Sequence, residues 1–370
     1  MSNDFLKIEI DNSEATNVYT DLMRLEVELD DELAAVFKLQ LCMMQYGDEW
    51  TNLDSENLQP WKPVTINAGF RDDFTEIFKG YISRIIPSFG QSPTQAYLEI
   101  HGVDKSILLD REEILKDWVS KKDSDIASEI FSNYQLTAQV TDTGVVHDEA
   151  VSTIIQRETD MQFLKRLALR NGYECYVQGD TGYFGKPLTD EEPQPVLAVH
   201  YGNQTTLNNF RLSVDSVAPA NIAMVQIDRE SKDVHEVSIE SSSHQLYGEN
   251  DMSSFLTSGQ KPRKVYVGKN SATGPEEMSK LCQGLFDRNE WFVYGSGDVF
   301  SFDYGHVLMP RKPVTIKGIG EAYSGVYYVN HVKHVFLPHG YSQQIQVKRN
   351  ALGLLGNENF SIETGLFGIG

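Results

Sequence analysis

The words Lys312-Pro313-Val314-Thr315-Ile316-Lys317-Gly318 occur once before in this chain, as Lys62-Pro63-Val64-Thr65-Ile66-Asn67-Ala68-Gly69. Each copy is followed by a related run, Phe78-Lys79-Gly80-Tyr81-Ile82-Ser83-Arg84-Ile85 after the first and Tyr323-Ser324-Gly325-Val326-Tyr327-Tyr328-Val329-Asn330 after the second. Each then closes on an alternating segment, residues 97–101 and 342–348. Val64/Ile66 and Val314/Ile316 put apolar side chains on one strand face with Thr or Lys on the other, the pattern of a half-buried antiparallel sheet. Pro63 and Pro313 stand where a strand begins, a place that tolerates a residue without an N–H. The chain therefore carries two related all-β units, each a barrel or sandwich.

At 370 residues there is room for two or three cores. Residues 5–10, 25–29 and 37–41 alternate cleanly, and with the first repeat they make residues 1–105 a first β-barrel. The period changes from Ser106. Asp123-Ser124-Asp125 precedes a stripe of Ile126, Ile130 and Phe131, and Thr159-Asp160-Met161-Gln162 fits a capping box that Asn171-Gly172 terminates. Residues 106–199 thus read as an α+β insert with capped helices. Residues 200–350 read as the second β-barrel, with a helix at about 274–289 opened by Thr273-Gly274-Pro275-Glu276 and faced by Met278, Leu281, Cys282 and Leu285. Residues 241–262 are polar and turn-rich and read as an exposed loop, while Phe300, Phe302 and Tyr304 alternate as along a packed strand. Residues 351–370 form a Gly-rich apolar tail, which docks either on its own chain or on a partner. The fold class is mainly β with an α+β insert.

Acids outnumber bases by 53 to 32, a formal charge of -21, which disfavours nucleic-acid binding through a general basic field. Cys42, Cys175 and Cys282 form no C-x-x-C spacing, so no zinc signature is present and a reduced compartment at synthesis fits. Residues 1–31 hold no apolar leader segment and no window is long and apolar enough for a membrane span. The expectation is synthesis in the cytoplasm. The sequence has no G-x-S-x-G, H-E-x-x-H, P-loop or dinucleotide fingerprint. His331 and His334, three apart on a strand, face opposite ways and read as structural or surface histidines. The acidic clusters Asp72-Asp73, Asp190-Glu191-Glu192 and Glu276-Glu277 fall in turns or helix starts, where solvation or capping explains them. No catalytic residue, cofactor or metal is expected.

Gln156-Arg157-Glu158-Thr159-Asp160-Met161-Gln162-Phe163-Leu164-Lys165-Arg166-Leu167-Ala168, ending at Asn171-Gly172-Tyr173, resembles the Q-x-E-[ST]-D-x-x-F-L-x-R-L-A-x-x-x-G signature of the phage late control protein D family. Trp118 with Asp125-Ile126-Ala127 upstream, and Gly325 to His334, His339-Gly340-Tyr341 and Arg349-Asn350 downstream, are similar to that family's flanking blocks. The family includes the hub of contractile phage tails and pyocins and the hub part of type VI valine-glycine-repeat spike proteins. The resemblance implies a non-enzymatic homotrimer whose two barrels per chain present a pseudo-sixfold face to a hexameric inner tube. It also implies a separate trimeric spike on the other side, other baseplate components as neighbours, and assembly into the baseplate of a phage tail or injection particle. Asp160, Arg166, Lys62 and Lys312 are candidate subunit contacts, and Leu354, Leu355, Phe360, Leu366 and Phe367 in the tail are candidate spike contacts. The competing readings are a baseplate-associated peptidoglycan hydrolase and a secreted carbohydrate-binding β protein using Trp50 and Trp61.

Overall fold

A computed structural model describes residues 5–361, apart from 71–72, 93–94, 148, 150–152, 218–220, 228–230, 257–259, 262, 269–271 and 273. The first unit is built from β1 (Leu6–Ile10), β2 (Leu22–Asp30), β3 (Val36–Cys42), β4 (Pro63–Phe70), β5 (Asp73–Ser88) and β6 (Tyr97–Asp104). Their hydrogen-bonded order is β1-β4-β5-β6-β3-β2. Alternate residues turn inward, so Ile8, Leu25, Val27, Leu39, Ile66 and Ile100 share one core.

The insert follows, with β7 (Glu113–Trp118), α1 (Asp123–Asn133), β8 (Thr137–Val140), β9 (Ile154–Thr159), α2 (Asp160–Asn171), β10 (Glu174–Gln178) and β11 (Thr181–Gly185). Helix α2 starts where Thr159 Oγ1 accepts from the Gln162 N–H at 3.3 Å, and ends where Gly172 takes the left-handed conformation at φ 67°. Phe163, Leu164 and Leu167 on its inner stripe are fully buried against α1 and β7 residues.

The second unit comprises β12 (Gln194–Ala198), β13 (Leu207–Val214), an excursion through β14 (Asn221–Ile227), β15 (Val234–Ile239), β16 (Lys264–Tyr266) and α3 (Pro275–Asn289), and then β17 (Val293–Val299), β18 (Lys312–Lys317), β19 (Gly325–Leu337) and β20 (Gly340–Arg349). Its order is β12-β18-β19-β20-β17-β13. Taken in chain order, every strand occupies the place its counterpart holds in the first unit. The architecture is mainly β, with two related barrel-like units and an α+β insert. Hydrogen bonds do not join the first and last strand of either unit among the described residues.

The likeness extends to local details. A bulge interrupts β5 at Ser83, between Ile82 and Arg84, and β19 at Asn330, between Val329 and His331. Trp61 and Arg311, each just before a Lys-Pro-Val-Thr-Ile run, both have positive φ, 69° and 63°. Their N–H groups donate to Ile82 and Val329 carbonyls, each at 2.8 Å. Phe37 faces Gly102 across β3 and β6, whereas Gly295 faces Val347 across β17 and β20, so bulk has changed sides while the pair is kept.

Two expectations are corrected. Ser301–Tyr304 is a helical turn rather than strand, closed by Tyr304 N–H to Phe300 C=O at 2.9 Å and by left-handed Gly305. It buries Tyr304 and leaves Phe300 exposed. Residues 241–262 are only partly a solvated loop, because Tyr247 lies 2% exposed under Trp291 and Tyr328. Thr273, Asp72 and residues 258, 259 and 262 of the sequence reading lie outside the described residues.

Candidate functional site

The two units meet along one strand pair. β19 is long enough for two neighbours on one edge: residues 325–329 pair with β18, and residues 331–336 pair antiparallel with β2, from His331 opposite Asp30 to Phe336 opposite Leu25. This joint buries Leu25, Val27, Leu29, Val332, Val335 and Phe336. Polar pairs line it: His331 Nδ1 to Asp30 Oδ2 at 3.1 Å, Lys333 to Glu26 and Glu28 at 2.9 and 3.0 Å, and Lys348 to Asp31 at 2.6 Å. Burial alone would raise the Asp30 carboxyl, but hydrogen bonds from His331 and from the Glu32 and Leu33 N–H groups outweigh it and hold it at about 2.

The insert braces this joint. Glu174 on β10 accepts from the Tyr328 hydroxyl at 3.0 Å, and Arg311 lies 3.6 Å over the Tyr176 ring while donating to the Asp30 carbonyl. Desolvation lifts the Glu174 carboxyl to about 7, against the pull of Arg311 and Lys348. An open cleft of about 360 Å³ lies beside it, lined by Glu32, Lys165, Arg166, Glu174 and Trp291 among others.

A second arrangement fixes the end of β20. Arg349, the largest fully buried side chain, donates to the carbonyls of Tyr247, Tyr323, Ser324 and Gly353, with its Nη2 to Tyr247 O at 2.6 Å. Gly325 has φ 137° and a Cβ there would lie 2.7 Å from the guanidinium, so glycine is required. Asn350 accepts from Tyr247 N–H at 3.0 Å and donates to Gln245 C=O at 3.1 Å. The Ser-Gly and Arg-Asn words of the sequence are one clamp on a loop a hundred residues away in the chain.

Among the candidate contact residues, Asp160 is 5% exposed and accepts from Gln156 at 2.7 Å and the Tyr134 hydroxyl at 2.8 Å. Its carboxylate works inside the insert, where Gln156 also accepts from Trp118. Arg166 is exposed, pairs with Glu158 at 2.7 Å and lines the cleft. Lys62 pairs with Asp11 at 2.6 Å, whereas the equivalent Lys312 is exposed, with no ion pair among the described residues. The start of the tail lies on its own chain: Leu352 bridges to Asn250 and packs in the second core, and Lys317 donates to the Phe360 carbonyl at 3.0 Å. Leu354 and Phe360 are half-buried and Leu355 is exposed, while Leu366 and Phe367 lie outside the described residues.

His334 is fully buried against the Tyr341 hydroxyl at 2.8 Å, and burial lowers its imidazole to about 3, so it stays neutral. His244, Asp287 and Glu290 converge closely enough to hold a cation. Hydrogen bonds already hold these carboxylates, Asp287 at both oxygens from Ser243 and Gln283 and Glu290 at Oε1 from His244 and Asn350. The set reads as a hydrogen-bonded buttress for the Tyr247 loop.

These features define a protein of two joined, like-shaped β units whose built feature is a strand-to-strand joint. The chain belongs to the family described as the Alg8 N-terminal domain, whose model matches residues 5–337. No curated protein matches its sequence. In fold it is similar to the 43 kDa tail protein of prophage MuSo2 from Shewanella oneidensis, with TM-score 0.69 and 13% identity over 94% of this chain and 99% of that one. It is also similar to the tail protein from Neisseria meningitidis MC58, with TM-score 0.66 and 12% identity over 94% and 97%. The E. coli c3393 protein, a component of the type VI secretion system, matches with TM-score 0.53 and 10% identity over 93% of this chain and 76% of that one. These identities speak for the fold.

Proposed function

We propose that this chain is the structural hub of a contractile injection machine, a phage tail or a related system, of the late control protein D type. In that role three copies form a ring with six like units. Such a ring adapts a hexameric inner tube on one side to a threefold spike on the other, within a baseplate. The observation that carries the reading is the repeated six-strand order, because a doubled unit gives a threefold ring an approximately sixfold face. The tail-protein folds of the similar structures support it. Chemistry is not required of such a part: the buried His334 at the joint is held against the Tyr341 hydroxyl, and Glu174, which borders the cleft, already accepts from the Tyr328 hydroxyl. The Gly-rich apolar tail, residues 351–370, is the segment proposed to reach the spike.

The test is the mass of the purified protein in solution, alone and with rings of the inner-tube protein. A trimer in either condition supports the hub. A chain that remains monomeric in both, or that clears cell-wall material in a zymogram until an acid is mutated, removes it.

A further inference from the structure

Resting on the hub reading, the inference concerns the contact that joins one copy to the next. Superposing the two strand orders makes Tyr81 and Ile82 equivalent to Tyr328 and Val329, with the bulges at Ser83 and Asn330 aligned. Arg84 through Phe89 then correspond to His331 through Phe336. By the same pairing logic, Leu25 through Asp30 on β2 correspond to Phe210 through Asp215 on and just after β13. The turn that follows agrees: Asp30 Oδ1 accepts from the Glu32 N–H at 2.9 Å, and Asp215 Oδ1 accepts from the Val217 N–H at 2.8 Å.

Inside the chain, the β2 edge is covered by β19. Among the described residues the equivalent edges are bare: β13 pairs only with β17, and the far end of β5 pairs only with β6. Burial records the difference. Leu29 and Val332 are 4% and 0% exposed, while their counterparts are Val214 at 44% and the half-buried Ile85, and Ile86 and Phe89 nearby are also exposed. The inward-facing alternation of β2 persists on β13 with no cover over it. Charge repeats as well. Where His331 pairs with Asp30 in the covered joint, the bare edges hold Arg84 and Asp215, neither of them in an ion pair among the described residues.

We propose that the β13 edge of one copy pairs antiparallel with residues 84–89 of the next copy, repeating between chains the joint that β2 and β19 make within one. The register sets Asp215 opposite the neighbour's Arg84 and Val214 opposite the neighbour's Ile85. Every copy offers one edge of each kind, so the contact is head-to-tail and closes when the ring is complete. It adds a strand to a sheet edge by main-chain bonds, with the ion pair fixing register. The Asp31 N–H donates to the Asn330 carbonyl, so alternation directs the N–H of position 334 toward β2. Pro87 stands at the equivalent of that position and has no N–H, so the outer joint lacks one bond that the inner one has.

The experiment uses the full chain. Carrying Arg84→Cys and Asp215→Cys together, it is oxidised mildly and run without reductant; a covalent species of three chain masses is expected, with neither single variant yielding it. Arg84→Asp should weaken trimer formation at least tenfold, and adding Asp215→Arg should restore it, with circular dichroism confirming that all variants fold. A trimer that gives no 84–215 disulfide and ignores the charge reversal overturns this joint and leaves the hub reading standing. A wild-type chain monomeric with and without tube rings overturns both.

Discussion

The two β units share strand order, bulge and turn, yet they differ at three places. β1 runs antiparallel to β4, whereas β12 runs parallel to β18. A tight turn joins β2 to β3, whereas the chain between β13 and β17 makes the excursion that holds β14, β15, β16 and α3. The third difference is at the end of the last strand: the position occupied by Asp104 in the first unit holds Arg349 in the second, both buried. Asp104 accepts from N–H groups of Ala35 and Ser106, and Arg349 donates to carbonyls. One position therefore fastens chain ends with either sign of charge, provided its partners are dipoles of the opposite sense. The lesson is that the ladder is the duplicated object and each copy's fastenings were fitted to what lies beside it.

The largest way to break that comparison is at this position. Arg349→Met leaves the Tyr247, Tyr323, Ser324 and Gly353 carbonyls short of a donor and should cost about 3–5 kcal/mol. Asp104→Asn keeps shape and part of the acceptor capacity and should cost about 1–2 kcal/mol. Urea denaturation of both variants reads the difference, and equal losses would show that the fastenings are interchangeable.

Next in size is the brace under the second unit. Tyr81 packs against Trp61, but its counterpart Tyr328 is buried and donates to Glu174. The Glu174 carboxyl titrates near 7 in the folded chain, above the unfolded value, so the folded state holds its proton longer. Stability is fully present below about pH 4.5 as far as this group is concerned, and falls as pH rises toward 7. Glu174→Gln should flatten that slope and raise stability at pH 8 by at most about 3 kcal/mol, less to the extent that the cleft admits water. Thermal melts from pH 5 to 8 check it, and an unchanged slope would exclude Glu174 as its source.

The exchanged pair gives a smaller effect. A Cβ on Gly102 would sit 2.1 Å from the Phe37 ring, so Gly102→Val should cost about 1–3 kcal/mol by overpacking. Combining it with Phe37→Gly reproduces the Val–Gly arrangement of the second unit and should recover part of the loss, read as a non-additive double-mutant cycle.

Much of this was legible in the residues. The Lys-Pro-Val-Thr-Ile repeat located β4 and β18, and Thr159 and Gly172 bounded α2, because capping and alternation are local properties of the chain. β12 was not legible: Gln194-Pro195-Val196-Leu197-Ala198 has no alternation, and its parallel partner lies over a hundred residues on. Phe300, Phe302 and Tyr304 misled because period-two spacing over five residues also fits a single helical turn ended by glycine. The joint was invisible for a different reason. Whether an edge is covered depends on which strand ends beside it, so Asp30 and Asp215 look alike in sequence and differ only in the folded chain.

The smallest effect separates the two copies of the repeat's own lysine. Lys62 and Asp11 are partly exposed, so Lys62→Met should cost no more than about 0.5 kcal/mol, with the loss shrinking in salt. Lys312 has no such partner among the described residues, and Lys312→Met should leave monomer stability unchanged. Lys62 lies beside Ile82, next to the Arg84–Phe89 edge proposed to meet the next copy, so Lys62→Met is also expected to shift the concentration at which trimers form, while Lys312→Met, beside the joint within the chain, leaves assembly unchanged. Sedimentation and thermal unfolding of the two variants side by side distinguish these cases. An assembly defect from Lys312→Met alone would count against that edge and point to the second copy's repeat as the contact.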